Sequence, residues 1–188
     1  MKKVLLLMTF ALLMSCMSNN ALYESKKATV VRTYCDTAMG SGVHLGDGYV
    51  LSAAHVVHGD MKLFHRDEEI NGKIIKIDKE SDLVLIYFKD YDGPSVRLAR
   101  EELRVGDSLY TITYHFGQLF TFAEGIKGSY QGWKVLPKTY TAIIQSNPGS
   151  SGGPVFNSMG YLVGIVNAKY QTLTYYTGIK TIREFLDE

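Results

Sequence analysis

Ser151 is preceded by Pro148-Gly149-Ser150 and followed by Gly152-Gly153. Residues without a Cβ on both sides of a serine make a turn that exposes its hydroxyl. They also permit positive φ and let a carbonyl approach main-chain N–H groups, an arrangement suited to acyl transfer. A serine hydroxyl is a weak nucleophile at neutral pH, so the turn needs a base and an orienting group elsewhere in the chain. His55 follows the apolar run Tyr49-Val50-Leu51 and the pair Ala53-Ala54, which predicts an imidazole at the end of a buried strand. Asp82 heads a second apolar run, Leu83-Val84-Leu85-Ile86, where its carboxylate could hold the imidazole by its second nitrogen. Taken singly, each has a bland reading: a turn serine, a satisfied histidine, a loop-capping aspartate. Taken together they form a candidate nucleophile, base and orienting acid.

The elements that must position these groups are almost all β. Apolar or alternating runs at residues 29–33, 42–45, 49–53, 61–64, 73–77 and 83–88 are separated by short polar or glycine-bearing turns and fit one small barrel. Tyr91-Asp92-Gly93-Pro94 reads as a linker. A second set follows at 108–114, 120–130, 139–145, 154–156, 161–168 and 172–177, and residues 180–186 predict one or two turns of helix. The fold class expected is therefore all-β, two six-stranded antiparallel barrels over about 28–92 and 95–188 with a short C-terminal helix. His55 and Asp82 come from one barrel and Ser151 from the other, which puts the site in the crevice between them.

Composition bounds the rest. The chain has 188 residues, 46% hydrophobic and 21% charged, enough for one globular domain with a buried core. Its net charge of +1 gives no sign of a nucleic-acid partner. Lys2-Lys3 followed by the apolar run from Val4 to Met14 has the form of a secretory signal, so residues 1–15 are expected to be removed and 16–27 to form a polar tether. Leu13-Met14-Ser15-Cys16 is similar to a bacterial lipobox, which implies that Cys16 carries lipid and holds the protein at a membrane. An ordinary signal peptide cut nearby, or an uncleaved anchor, are the competing readings. Cys35 then has no disulfide partner and reads as a small apolar filler. His55 and His58 stand three apart without an evident third ligand, so no metal is expected. His44, His58, His65 and His115 read as surface or structural.

The order His55, Asp82, Ser151, with the stretches GSGVHLGDGYVLSAAHVV, SDLVLI and SNPGSSGGPVFNSMGYLVGIVNA, resembles the chymotrypsin-like serine proteases, and within them the HtrA/DegP-like branch. The likeness runs from about Thr29 to the C-terminus. It implies a serine endopeptidase acting on proteins or peptides without a cofactor, exported to the periplasmic or cell-envelope face, with an oxyanion hole made by the N–H groups of Gly149 and Ser151. It also implies a substrate pocket that involves Gln145, Asn147, Val166, Asn167 and Ala168. Ser150 replaces the aspartate with which trypsin-like zymogens pair a freed N-terminus, so activation by that ion pair is not expected. Gln145 stands where enzymes specific for Lys or Arg have a pocket carboxylate, leaving a small or aliphatic P1 as the default. No PDZ module is expected after the protease domain. A catalytically silent binding or chaperone-like module, and an esterase using the same triad, are the readings from other classes.

Overall fold

Strands of period two, bounded by glycine and polar turns, close into two barrels of six. The computed structural model describes residues 18–65, 68–116, 119–130 and 138–187. The first barrel comprises β1 (Val30–Tyr34), β2 (Met39–Gly46), β3 (Tyr49–Ala53), β4 (Met61–His65), β5 (Glu68–Asp78) and β6 (Leu83–Phe88), ordered β1-β2-β3-β6-β5-β4. The second comprises β7 (Ser108–His115), β8 (Leu119–Tyr130), β9 (Thr139–Ile143), β10 (Pro154–Phe156), β11 (Leu162–Tyr170) and β12 (Leu173–Gly178), ordered β10-β11-β12-β9-β8-β7. All strand pairs within the barrels are antiparallel.

The continuous apolar run of β3 is explained by burial on both faces. Val50 packs inside the first barrel with Met61, Leu63, Val84 and Phe88. Leu51, with Val43 and Leu83, joins the cluster that fills the second barrel and the seam between the two. Leu51 and Leu83 are both fully buried, and each contributes on the order of 2 kcal/mol by leaving water. The seam beneath the site is therefore packed with apolar side chains.

His44 fixes the linker side of that seam. The Pro94 carbonyl can only accept, so Nδ1–H is its donor (3.1 Å) and Nε2 accepts from the Gly48 N–H (3.2 Å). The imidazole is 1% exposed and thus structural. Cys35 is a free, buried thiol. The terminal helix α2 (Ile179–Asp187) buries Ile179, Ile182 and Phe185 along one face. Lys76 of the first barrel donates to the Phe185 carbonyl at its far end (2.7 Å), the end that favours a cation.

The segment read as a polar tether holds a helix, α1 (Asn19–Lys26), whose N-cap Ser18 accepts from Ala21 N–H. One apolar side chain, Leu22, is enough to dock it in the core, and Tyr23 packs edge-on against Phe122 at 6.0 Å. The signal segment 1–15 and Cys16 lie outside the described residues.

Candidate active site

Strand register brings the candidate base and acid together. Ala53 of β3 pairs with Leu83 of β6, so the 3-10 turn at Ala54–Val56 carries His55 alongside Asp82. Asp82 adopts φ +54°, a left-handed conformation uncommon outside glycine, and its groups hold it there. One carboxylate oxygen accepts from the His55 backbone N–H (2.8 Å), and the other accepts from His55 Nδ1 (2.7 Å) and Asn167 Nδ2 (2.9 Å). The carboxylate, 4% exposed, thus fixes the tautomer that leaves Nε2 free to take a proton, while the imidazole is 47% exposed toward the crevice.

The turn that carries the candidate nucleophile is set by its carbonyls. In a trans peptide the N–H points opposite to the C=O, so anchoring one aims the other. Phe116 N–H donates to the Pro148 carbonyl (2.8 Å), which orients the Gly149 N–H, and Gly153 N–H donates to the Ser150 carbonyl (2.9 Å), which orients that of Ser151. Among the described residues neither Gly149 N–H nor Ser151 N–H has an acceptor, so both remain available to a ligand oxygen. Gly149 itself lies at φ +93°. Ser150, 1% exposed, points inward, where its hydroxyl accepts from Asn147 N–H (3.1 Å) and Thr113 (3.2 Å). Gly152 at φ +80° fits only as glycine, because a Cβ there would lie 2.1 Å from Ser52 Oγ and 2.2 Å from the Ser41 carbonyl.

Ser41 of β2 joins the two barrels at this turn. Its N–H donates to the Ser151 carbonyl (2.8 Å), and its hydroxyl donates to the Gly149 carbonyl (2.8 Å) while accepting from Tyr114 N–H (2.9 Å). The Ser151 hydroxyl donates to the Asn167 backbone carbonyl at 3.3 Å, and among the described residues His55 Nε2 has no hydrogen-bond partner. Nucleophile–base contacts of this kind are often loose in the absence of substrate and tighten when it binds. An acid–imidazole pair, a serine on a glycine turn and two unspent N–H donors can together add an alcohol to a carbonyl.

A cavity of about 430 Å³ opens beside Ser151. Asn147, Val166 and Ala168 line it as expected. Gln145 does not: β9 ends at Ile143, and Gln145 is exposed while buried Ser146 takes the wall. Asn167 is also corrected. Its side chain, 2% exposed, turns behind the acid to donate to Asp82 and accept from Thr177 (3.0 Å). Sequence reasoning missed Ser41, Thr113 and Lys169; the glycine-flanked Ser41 within GSG was the one visible signal.

Two closed barrels with an acid–imidazole pair and a glycine-bound serine at their seam define a protein of the two-barrel peptidase architecture. The chain belongs to the trypsin-like peptidase domain family, whose model matches residues 40–165. It is similar to probable periplasmic serine endoproteases, DegP-like, of Hahella chejuensis (36% identical over 140 residues, 70% of this chain) and Ectopseudomonas mendocina (36% over 137 residues, 68% of this chain). It spans 30% and 29% of the length of these curated relatives. Among solved structures it resembles an HtrA-type protease with a tripeptide (TM-score 0.82, 24% identity, covering 91% of this chain and 63% of that one). It also resembles the Rv3671c protease of M. tuberculosis in its active form (TM-score 0.80, 19% identity, covering 90% of this chain and 84% of that one). These two likenesses concern the fold.

Proposed function

We propose that the protein is a serine endopeptidase of HtrA/DegP type, hydrolysing peptide bonds through Ser151, His55 and Asp82. One observation carries this reading: Asp82 grips both the backbone and the ring of His55, at 2.8 and 2.7 Å, and Asn167 links that carboxylate to the Ser151 hydroxyl. His55 Nε2 takes the Ser151 proton as Oγ attacks the carbonyl carbon. The oxyanion is held by Gly149 and Ser151 N–H groups, worth about 3 kcal/mol per donor. The imidazolium gives its proton to the leaving amine, and water repeats the cycle on the acyl-enzyme to release the acid and restore the hydroxyl. The periplasmic names of the relatives support export. The lipobox-like sequence before Cys16 supports a lipid anchor there, with residues 1–15 removed as a signal.

Substitution Ser151→Ala should lower turnover of an unstructured protein substrate by about a millionfold. Unchanged hydrolysis would end this reading. The Ser151 hydroxyl's bond to the Asn167 carbonyl favours one second reading, a binding module that hydrolyses nothing. Fluorophosphonate labelling at Ser151 separates the two, since only an activated serine reacts.

A further inference from the structure

We propose that the site, read as a peptidase, selects substrates with an acidic residue at P1, and that Lys169 is the residue that recognises it. Lys169 is the one formally charged residue lining the cavity beside Ser151. It lies on β11 two positions after Asn167, whose carbonyl receives the Ser151 hydroxyl, and it lines the same cavity as Ser151. One of its three N–H donors goes to the Ser146 carbonyl on the same wall (3.0 Å), which aims the side chain at the cavity. No carboxylate among the described residues pairs with it. Its charge therefore remains available to a ligand.

The other lining groups narrow the choice. The Ser146 hydroxyl is engaged with Thr174 (2.8 Å), and Thr174 in turn donates to the Ile144 carbonyl (2.8 Å), so Ser146 spends its proton inside the wall. Val166 and Ala168 offer apolar surface for the methylenes of a glutamate, leaving the Lys169 ammonium to meet its carboxylate. A lysine or arginine at P1 would face that ammonium with no acid among the lining residues to offset it. A purely aliphatic P1 would displace water from the ammonium and give nothing in return. The field of Lys169 reaches its surroundings: burial first, and then this charge, hold the His115 imidazole below its ordinary value. The small or aliphatic P1 expected by default gives way to an acidic one.

The test uses four peptides identical except for Glu, Gln, Val or Lys at P1. The Glu/Gln ratio of kcat/KM should be about tenfold or more, the scale of one charge-assisted hydrogen bond, and the Lys peptide should be slowest. The ratio should collapse toward unity in Lys169→Met, persist in Lys169→Arg and invert in Lys169→Glu. Being internal to each protein, it does not depend on the folded fraction. A Glu/Gln ratio near unity in the native protein, or one that survives Lys169→Met, overturns the proposal. Calorimetric binding of the Glu and Gln peptides to the Ser151→Ala protein gives a second ratio that needs no turnover. Absent hydrolysis and absent fluorophosphonate labelling would sink the peptidase reading, while this binding ratio would still decide for or against Lys169.

Discussion

Ser41→Ala isolates what one hydroxyl contributes across the seam. The residue is fully buried, and loss of Oγ leaves the Tyr114 N–H and the Gly149 carbonyl without their partner while the Ser41 backbone bond to Ser151 remains. Both orphaned groups are only partly buried, so water offsets some of the loss and about 1 kcal/mol for each is reasonable. The sum of about 2 kcal/mol corresponds to a fall in Tm of about 4–8 °C for a domain of this size. Catalysis should suffer separately. The Gly149 carbonyl shares a peptide plane with Ser150 N, and freeing that plane loosens the turn whose N–H groups must meet the oxyanion, which should lower kcat about tenfold or more. Thermal melting, titration of reactive serine with a fluorophosphonate, and steady-state kinetics on one peptide measure the three effects. A variant with native Tm and native kcat would refute the idea that Ser41 braces the nucleophile turn.

Three further outcomes are expected. Asn167→Leu removes the Nδ2 donor from a buried carboxylate and should cost about 2 kcal/mol in urea melts, with kcat falling more than KM changes; an equal loss in KM would point to the substrate wall instead. Lys127, 3% exposed, sits 3.6 Å from Glu102, too far for a hydrogen bond, and 3.8 Å from the Tyr140 ring centroid; burial first of all pushes its ammonium below the ordinary range. Glu102→Gln removes the ion partner of that cation, leaving it the Leu103 carbonyl and the more distant Asp107, and should cost about 3 kcal/mol, whereas Lys127→Met leaves a partly exposed carboxylate still capping Lys180 N–H and should cost about 1 kcal/mol; the reverse order in chemical melts would overturn the assignment. His115 is held below its ordinary value of 6.5, so unfolded chains bind the proton first as pH falls. Its contribution is full above 6.5 and is lost through the window down to the folded value, so His115→Gln should flatten the fall of Tm with acid; an unaltered slope would refute this.

Much of the fold was legible because both barrels obey one period. Each of the twelve apolar runs became a strand, and the residues 180–186 joined α2. α1 was hidden because Leu22 is its one buried side chain, and a helix docked by a single residue has no periodicity to read. His55 and Asp82 were legible as candidates because each ends or begins an apolar run. Ser41 and Lys169 were not, since their partners lie more than a hundred and about twenty residues away along the chain and only closure of the barrels brings them close. Gln145 was misplaced because counting six residues back from the nucleophile assumes a path that the chain leaves once β9 ends.

The clasp between the barrels has a consequence for how the protein fails. Ser41 reaches from the first barrel to the serine turn, and Asn167 and Thr177 reach from the second to Asp82 and Ser81. The bonds that align the chemistry are thus the rivets of the two halves. On the proposed peptidase reading, any excursion that parts them disarms the site at once, so a half-opened copy is a harmless one.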